Sequence, residues 1–240
     1  MENVFCNNNF VLINFLGKGA FGITYKIYDK KLSQYTAIKI AKQSNGDKLE
    51  SEINIIKKLT LLNIPNITKY YSDGYCLLLE NRRYYEMDLQ DEKIQTFIDN
   101  KNEITKNDLY DIAFELLFTE SYFRKYNFKH RDISSYNILY KINPLPRSYI
   151  LQSGRIIIIS SLIQPIISDY NTSIFQPYNI NDPLDFNDIL ATMYVLSQLY
   201  DITIDVNVQD DLYFQQYIDQ ITDNDDLTYG FLQQFLNQHY

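Results

Sequence analysis

The chain has 240 residues, 45% of them hydrophobic and 22% charged, with a formal net charge of -8. That is enough apolar material for one substantial core or two small lobes, and too acidic a balance for wholesale binding of nucleic acid or an anionic membrane. Two cysteines, Cys6 and Cys76, and two histidines are too few and too scattered for a disulfide framework or a zinc cluster, which points to a reducing compartment.

No basic flank precedes an apolar stretch at the start, and the run "IIIISSLI" is far too short to span a bilayer. The expectation is a soluble intracellular protein, cytoplasmic or nuclear, with no membrane partner. A bias toward Ile, Asn, Tyr and Lys, with 7 Gly and no Trp, is what an AT-rich coding sequence yields.

From Phe10 to Ala41 the residues favour strands: "FVLINFL", a glycine-bearing turn, "ITYKIYD" and "YTAIKIA", read as an antiparallel meander. After the polar break "KQSNGD", Leu49, Ile53, Ile56 and Leu59 recur at helical spacing. A strand pair follows, "GYCLLLE" and "YYEMDL", joined by a polar turn at Asn81 to Arg83. The first lobe is thus expected to hold five strands and one helix.

The second lobe begins in "IQTFID". Between Asn107 and Tyr126, Leu109, Ile112, Ala113, Leu116, Leu117 and Phe123 form one stripe of a long amphipathic helix. Then "NILYKI", "RIIIIS" and "QPIIS" read as short strands. "DFNDILATMYVLSQLY", "DDLYFQQYIDQI" and "LTYGFLQQFLNQHY" read as helices. There is no internal repeat and no low-complexity linker, so the fold class is α+β: a β-rich lobe over about residues 1–86, a helical lobe over about 89–240, and a single domain in all.

Four constellations carry chemistry. Gly17-Lys18-Gly19-Ala20-Phe21-Gly22 is a GxGxxG pattern between two strands, where backbone N–H groups can approach phosphate oxygens; a plain hairpin turn would use the same glycines. A strand after it points away from a dinucleotide fold, which needs a helix there. Lys39 lies mid-strand between Ile38 and Ile40 and should face away from both. Glu52 on the next helix is spaced to pair with it, with Glu50 the competitor.

His130-Arg131-Asp132 followed by Asn137 gives HRDxxxxN, in which a carboxylate can take the proton of an attacking hydroxyl and an amide can ligate Mg²⁺. Asp169, at the end of the apolar strand in "PIISDYN", is either a turn opener or a second metal ligand.

Together these motifs, in this order, resemble the protein-kinase signature set over roughly residues 10 to 200. The resemblance implies a bilobal kinase fold, ATP with Mg²⁺ between the lobes, and γ-phosphate transfer to a Ser/Thr hydroxyl of a protein substrate. It makes Asp132 the catalytic base, with Arg131 in the same loop, Asn137 and Asp169 the metal ligands, Lys39 and Glu52 the phosphate anchor, and Glu86, Met87 and Asp88 the adenine-binding hinge. Asp188 would brace the catalytic loop, with Asp185 as runner-up.

Three departures stand out: "DYN" in place of DFG, Ser134 where the loop lysine is usual, and no APE segment. Haspin-like kinases look closest on these points, and the small size and AT bias resemble kinase-like proteins of large DNA viruses. That likeness implies a basic or chromatin-associated substrate, a host-protein partner and a location in a virus-infected host cell. A pseudokinase acting as a binding or decoy module, and a small-molecule phosphotransferase, are the alternatives. The tyrosines and phenylalanines, Tyr84, Tyr85 and Phe123 among them, read as core and cleft lining, and Asp223 to Asp226 as a solvated loop.

Overall fold

The structure, a computed structural model, describes residues 4–42, 46–100, 104–143, 145–151, 153–178 and 187–204. It divides into two compact units. The first comprises Met1–Asn63, Thr68–Gln90 and Asp169–Asn171; the second comprises Ile64–Ile67, Asp91–Ser168 and Thr172–Tyr240.

The first unit is a six-stranded antiparallel sheet with one helix. Its strands are β1 (Val4–Phe5), β2 (Asn7–Lys18), β3 (Gly22–Asp29), β4 (Gln34–Ala41), β5 (Tyr70–Cys76) and β6 (Arg82–Asp88), in the order β1-β2-β3-β4-β6-β5. Helix α1 (Gly46–Leu61) buries Leu49, Ile53, Ile56 and Leu59 completely, the stripe that its spacing predicts. Along β4 the alternation holds: Ile38 and Ile40 enter the core with Ile27 and Tyr84, and Lys39 faces the other way, onto Glu52 of α1.

Two expectations for this unit need correction. The run Leu77–Leu79 is a 3-10 turn, not the end of a strand, and Glu80 and Asn81 after it take left-handed conformations at φ 54° and 57°. The ladder between β5 and β6 ends at Cys76 opposite Arg82, so Leu77 and Leu78 have no partner strand and stand exposed.

The cysteines, read as too few and too far apart for a disulfide framework, form a disulfide, with Cα atoms 4.0 Å apart across 70 residues of sequence. Cys6 follows one edge strand and Cys76 ends the other, so sequence spacing could not show that they meet. The sheet curls until both edges cover Ile27, Ile38 and Ile40. Asn7 at the start of β2, next to the edge strand β1, donates to Tyr84 Oη at 3.0 Å. The argument from cysteines to a reducing compartment falls with this pairing.

The second unit contains β7 (Glu92–Lys93), α2 (Ile94–Asp99), α3 (Lys106–Lys125), β8 (Phe128–Lys129), β9 (Ile138–Ile142), β10 (Arg147–Ile150), β11 (Ile156–Ile159), β12 (Ile163–Ile167), β13 (Ile174–Phe175) and α4 (Asn187–Ile204). Three small sheets form, β12-β9-β7, β10-β11 and β13-β8.

Helix α3 starts at a capping box. Thr105 Oγ1 accepts the Asp108 amide at 3.1 Å while Asp108 Oδ2 accepts the Thr105 amide at 3.0 Å. The predicted stripe is buried, and so are Glu115, Thr119 and Glu120 on the face expected to meet water. The β10–β11 hairpin covers Glu115, and Glu120 meets α4, where the Thr192 hydroxyl donates to it at 3.2 Å. Arg147 donates to both Glu115 oxygens at 2.6 and 2.9 Å, and the Tyr149 ring meets Phe114 and Phe118 edge-on.

No helix among the described residues is long and apolar enough to cross a membrane. The two helices expected over 210–221 and 227–240, and the loop at 223–226, lie outside the described residues.

Candidate active site

In the first unit the glycine-bearing segment turns between β2 and β3, closed by the Gly19 amide donating to the Gly22 carbonyl at 3.0 Å. Gly22 is required by packing, since a Cβ there would lie 2.9 Å from the Ile40 carbonyl oxygen and 3.1 Å from Lys39 Cγ. A Cβ on Gly17 or Gly19 would meet nothing, so packing does not explain those two. Lys42 Nζ holds the tip by donating to the carbonyls of Gly19 and Ala20, at 2.5 and 3.1 Å, and the Lys48 ammonium lies 4.5 Å above the Phe21 ring.

Behind this loop, Lys39 Nζ donates to both oxygens of Glu52, at 2.8 and 2.9 Å, and to Asp169 Oδ1 at 3.1 Å. Burial would lower the Lys39 ammonium's pKa, but Glu52 and Asp169 outweigh it and hold the value above normal. Burial pushes the Glu52 carboxyl up, against the pull of Lys39 and of Tyr85, whose hydroxyl donates to Glu52 Oε1 at 2.9 Å. Glu50 is not the partner of Lys39; it takes Arg83 instead, at 2.6 Å from Nε. Asp169 itself sits at φ 65° and accepts a short hydrogen bond from Asn171.

The adenine hinge is expected at Glu86 to Asp88. Glu86 and Met87 lie in the ladder with β4 on one side and β5 on the other, and the Asp88 amide donates to the Lys69 carbonyl. The Glu86 carboxylate is buried against the Thr36 and Ser72 hydroxyls. The first backbone groups beyond the ladder are those of Leu89 and Gln90.

In the second unit the loop of His130 to Asn137 is fixed at both ends. The amides of His130 and Arg131 donate to the two oxygens of Asp188, at 2.5 and 2.6 Å, which settles the bracing role on Asp188; Asp185 lies outside the described residues. The buried His130 ring meets the Ser168 carbonyl at 3.0 Å through Nε2. The Asn137 side-chain N–H group donates to the Asp132 carbonyl at 2.8 Å and to Asp132 Oδ2 at 2.9 Å, which orients the candidate base and leaves the amide oxygen of Asn137 for a cation.

Sequence reasoning missed Gln95 of α2, whose amide donates to the Ser135 carbonyl at 2.9 Å, with its side chain on the Ser135 hydroxyl. Arg131 is exposed, and the fold engages it through its backbone amide, which donates to Asp188.

The family model of the protein kinase domain matches residues 10–146, more than half of the chain. The chain belongs to the protein kinase family. Human serine/threonine-protein kinase Nek11 is 27% identical over 146 residues, 57% of this chain and 22% of its own length. Calcium-dependent protein kinase 4 of Plasmodium falciparum is 28% identical over 144 residues, 58% and 26%. Cell division control protein 7 of Schizosaccharomyces pombe is 32% identical over 133 residues, 52% and 12%.

The match thus spans about a quarter or less of the length of these relatives. Among solved structures, the crystallised kinase domain of PF14_0431 superposes with a TM-score of 0.63 at 19% identity, covering 92% of this chain and 72% of that one. This supports the bilobal α+β kinase fold. Within that fold, Lys39, Glu52 and Asp169 converge in one unit, and Asp132, Asn137 and Asp188 organise one loop in the other.

Proposed function

We propose that this kinase-family chain is an active ATP-dependent protein kinase that phosphorylates Ser/Thr hydroxyls. The observation that carries the reading is the grip of both Glu52 oxygens on the Lys39 ammonium, with Asp169 at 3.1 Å. A buried ion pair of this kind is costly to desolvate, and its retention fits an ammonium kept in place for phosphate oxygens. The Ser/Thr preference follows the named relatives, and the acidic net charge favours a basic substrate.

In this reading Lys39 and the glycine-bearing loop hold the nucleotide phosphates, and Leu89 and Gln90 offer backbone to the base. Asp132, oriented by Asn137, accepts the proton of the acceptor hydroxyl as its oxygen bonds to the γ-phosphorus. The bond from that phosphorus to the β,γ-bridging oxygen breaks, and ADP leaves.

The oxygen donors Asp169 and Asn137 suit Mg²⁺. An ion of this kind takes only one or two protein ligands beside phosphate oxygens. Bound there, Mg²⁺ would neutralise charge on the β- and γ-phosphates. The haspin-like subtype is supported by the DYN sequence, Ser134 and the extra β10–β11 pair ahead of Asp169.

A second reading, the pseudokinase, is favoured by Ser134, which removes the loop's usual cation from the transferring phosphate. Labelled Mg·ATP offered with the protein alone and with a histone and basic-protein mixture decides between them. Transfer abolished by both Asp132→Asn and Lys39→Ala supports the kinase; nucleotide binding without transfer to any acceptor supports the pseudokinase.

A further inference from the structure

The Glu52 carboxylate is gripped from a second direction that the signature motifs do not include. Tyr85 on β6 is the register partner of Lys39 on β4, so the two side chains leave the sheet on the same face, side by side. Both end on Glu52 of α1: Lys39 Nζ on its two oxygens, and Tyr85 Oη on Oε1 at 2.9 Å. Glu52 is fully buried and Tyr85 is 2% exposed. Burial, and then the Glu52 charge, push the Tyr85 phenol far up, so it is a hydroxyl donor throughout the physiological range.

We propose that Tyr85 is a positioning residue for phosphate transfer: its hydroxyl fixes Glu52 Oε1, and through that carboxylate it fixes the Lys39 ammonium. The proposal rests on the kinase reading for its consequence, though not for its geometry.

A Lys–Glu pair alone joins two flexible arms, and either can swing while the contact is kept. A phenol has two side-chain torsions, and here its ring is packed in the sheet. Its bond to one carboxylate oxygen sets the rotation of the Glu52 carboxylate, and this in turn sets where the other donor, Lys39, must sit to reach both oxygens. Helix α1 is thereby tied to two neighbouring strands at one point, and Lys39 stays in reach of Asp169. If the hydroxyl did no more than satisfy itself inside the core, its removal would leave the Lys39 amine as it was.

Tyr85→Phe keeps the ring and removes the donor. The first readout needs no nucleotide: acylation of lysines by a small water-soluble reagent, followed peptide by peptide, with exposed Lys31 as internal control. A charge-assisted bond of this type predicts Lys39 labelling faster on the order of ten-fold with Lys31 unchanged. It also predicts no further rise when Tyr85→Phe is added to Glu52→Gln. In the transfer assay, kcat/KM for ATP should fall by a similar factor.

Unchanged Lys39 labelling, or an equal rise at both lysines, overturns the proposal, the latter because it reports loosened packing alone. A wild-type protein that transfers no phosphate would end the kinase reading, while the labelling ratio would still decide the role of Tyr85.

Discussion

Asp188 accepts the Arg131 amide at 2.6 Å, and Arg131 is held there at φ 68°. A non-glycine residue in the left-handed region is strained by about 1 kcal/mol or more, so the bond holds the loop in a shape it would otherwise leave. Asp188→Ala strips the acceptor from one buried and one partly buried amide, a buried one being worth roughly 1–3 kcal/mol when left unpaired. The expected outcome is a fall in stability of about 2–4 kcal/mol in denaturant unfolding, together with loss of phosphate transfer. A melt unchanged from wild type would show that the loop holds its shape unaided.

Glu50 and Glu52 lie two residues apart on α1, yet their substitutions should differ widely. Glu50→Gln weakens a part-exposed pair with Arg83 and should cost about 0–1 kcal/mol. Glu52→Gln leaves the Lys39 ammonium short of its buried counter-charge and should cost about 3 kcal/mol or more, as well as lowering nucleotide affinity. Urea unfolding and calorimetric titration with Mg·ATP measure both. Equal costs would mean that the Lys39 pair is not the buried anchor described above.

Glu120 on α3 gives stability a definite slope with pH. Burial, and then the neighbouring Asp188 charge, raise its pKa well above normal; the Thr192 hydroxyl, donating at 3.2 Å, and Arg124 oppose this only in part. In the unfolded chain the same carboxyl titrates near 4.3. Stability from keeping it neutral is therefore fully present below that pH and is lost as pH rises toward and through the folded value. Glu120→Gln, permanently neutral, should melt higher than wild type at pH 8 and close to it at pH 4. The reverse order at pH 8 would mean that Glu120 is ionised and paired in the fold.

The Cys6–Cys76 bridge closes a loop of 70 residues, which in the chain-entropy account stabilises by about 4 kcal/mol and in practice by about 2–4. Cys6→Ser should lower stability by that amount and abolish the effect of a thiol reductant on the melt. Mass spectrometry with and without reduction before alkylation counts the free thiols directly. Two alkylated cysteines in the unreduced protein would contradict the bridge.

The local chemistry of the site was legible because short-range rules write it into the chain. Alternation put Lys39 opposite Ile38 and Ile40, helical spacing put Glu52 on the buried side of α1, and HRDxxxxN fixed the loop that Asn137 and Asp132 share. What stayed hidden depends on contacts distant in sequence. Glu115 and Glu120 of α3 read as solvent-facing until residues far downstream cover them, Arg147 and Tyr149 of the β10–β11 hairpin on Glu115 and Thr192 of α4 on Glu120.

The Cys6–Cys76 pairing needs the curl of the whole sheet. Nothing in "YYEMD" shows where the ladder with β4 and β5 ends, and Tyr85 looked like one more core ring because nothing local marks Glu52 as its partner.

The central claim is that Asp132 acts on the reacting hydroxyl and not on the bound nucleotide. Its most direct test measures Mg·ATP affinity and phosphate-transfer rate side by side for wild type and Asp132→Asn. The account predicts affinity kept within about three-fold and a rate lower by two orders of magnitude or more, roughly the range for loss of a general base. A variant that transfers phosphate as fast as wild type, or a wild type that binds Mg·ATP and transfers none, would contradict it.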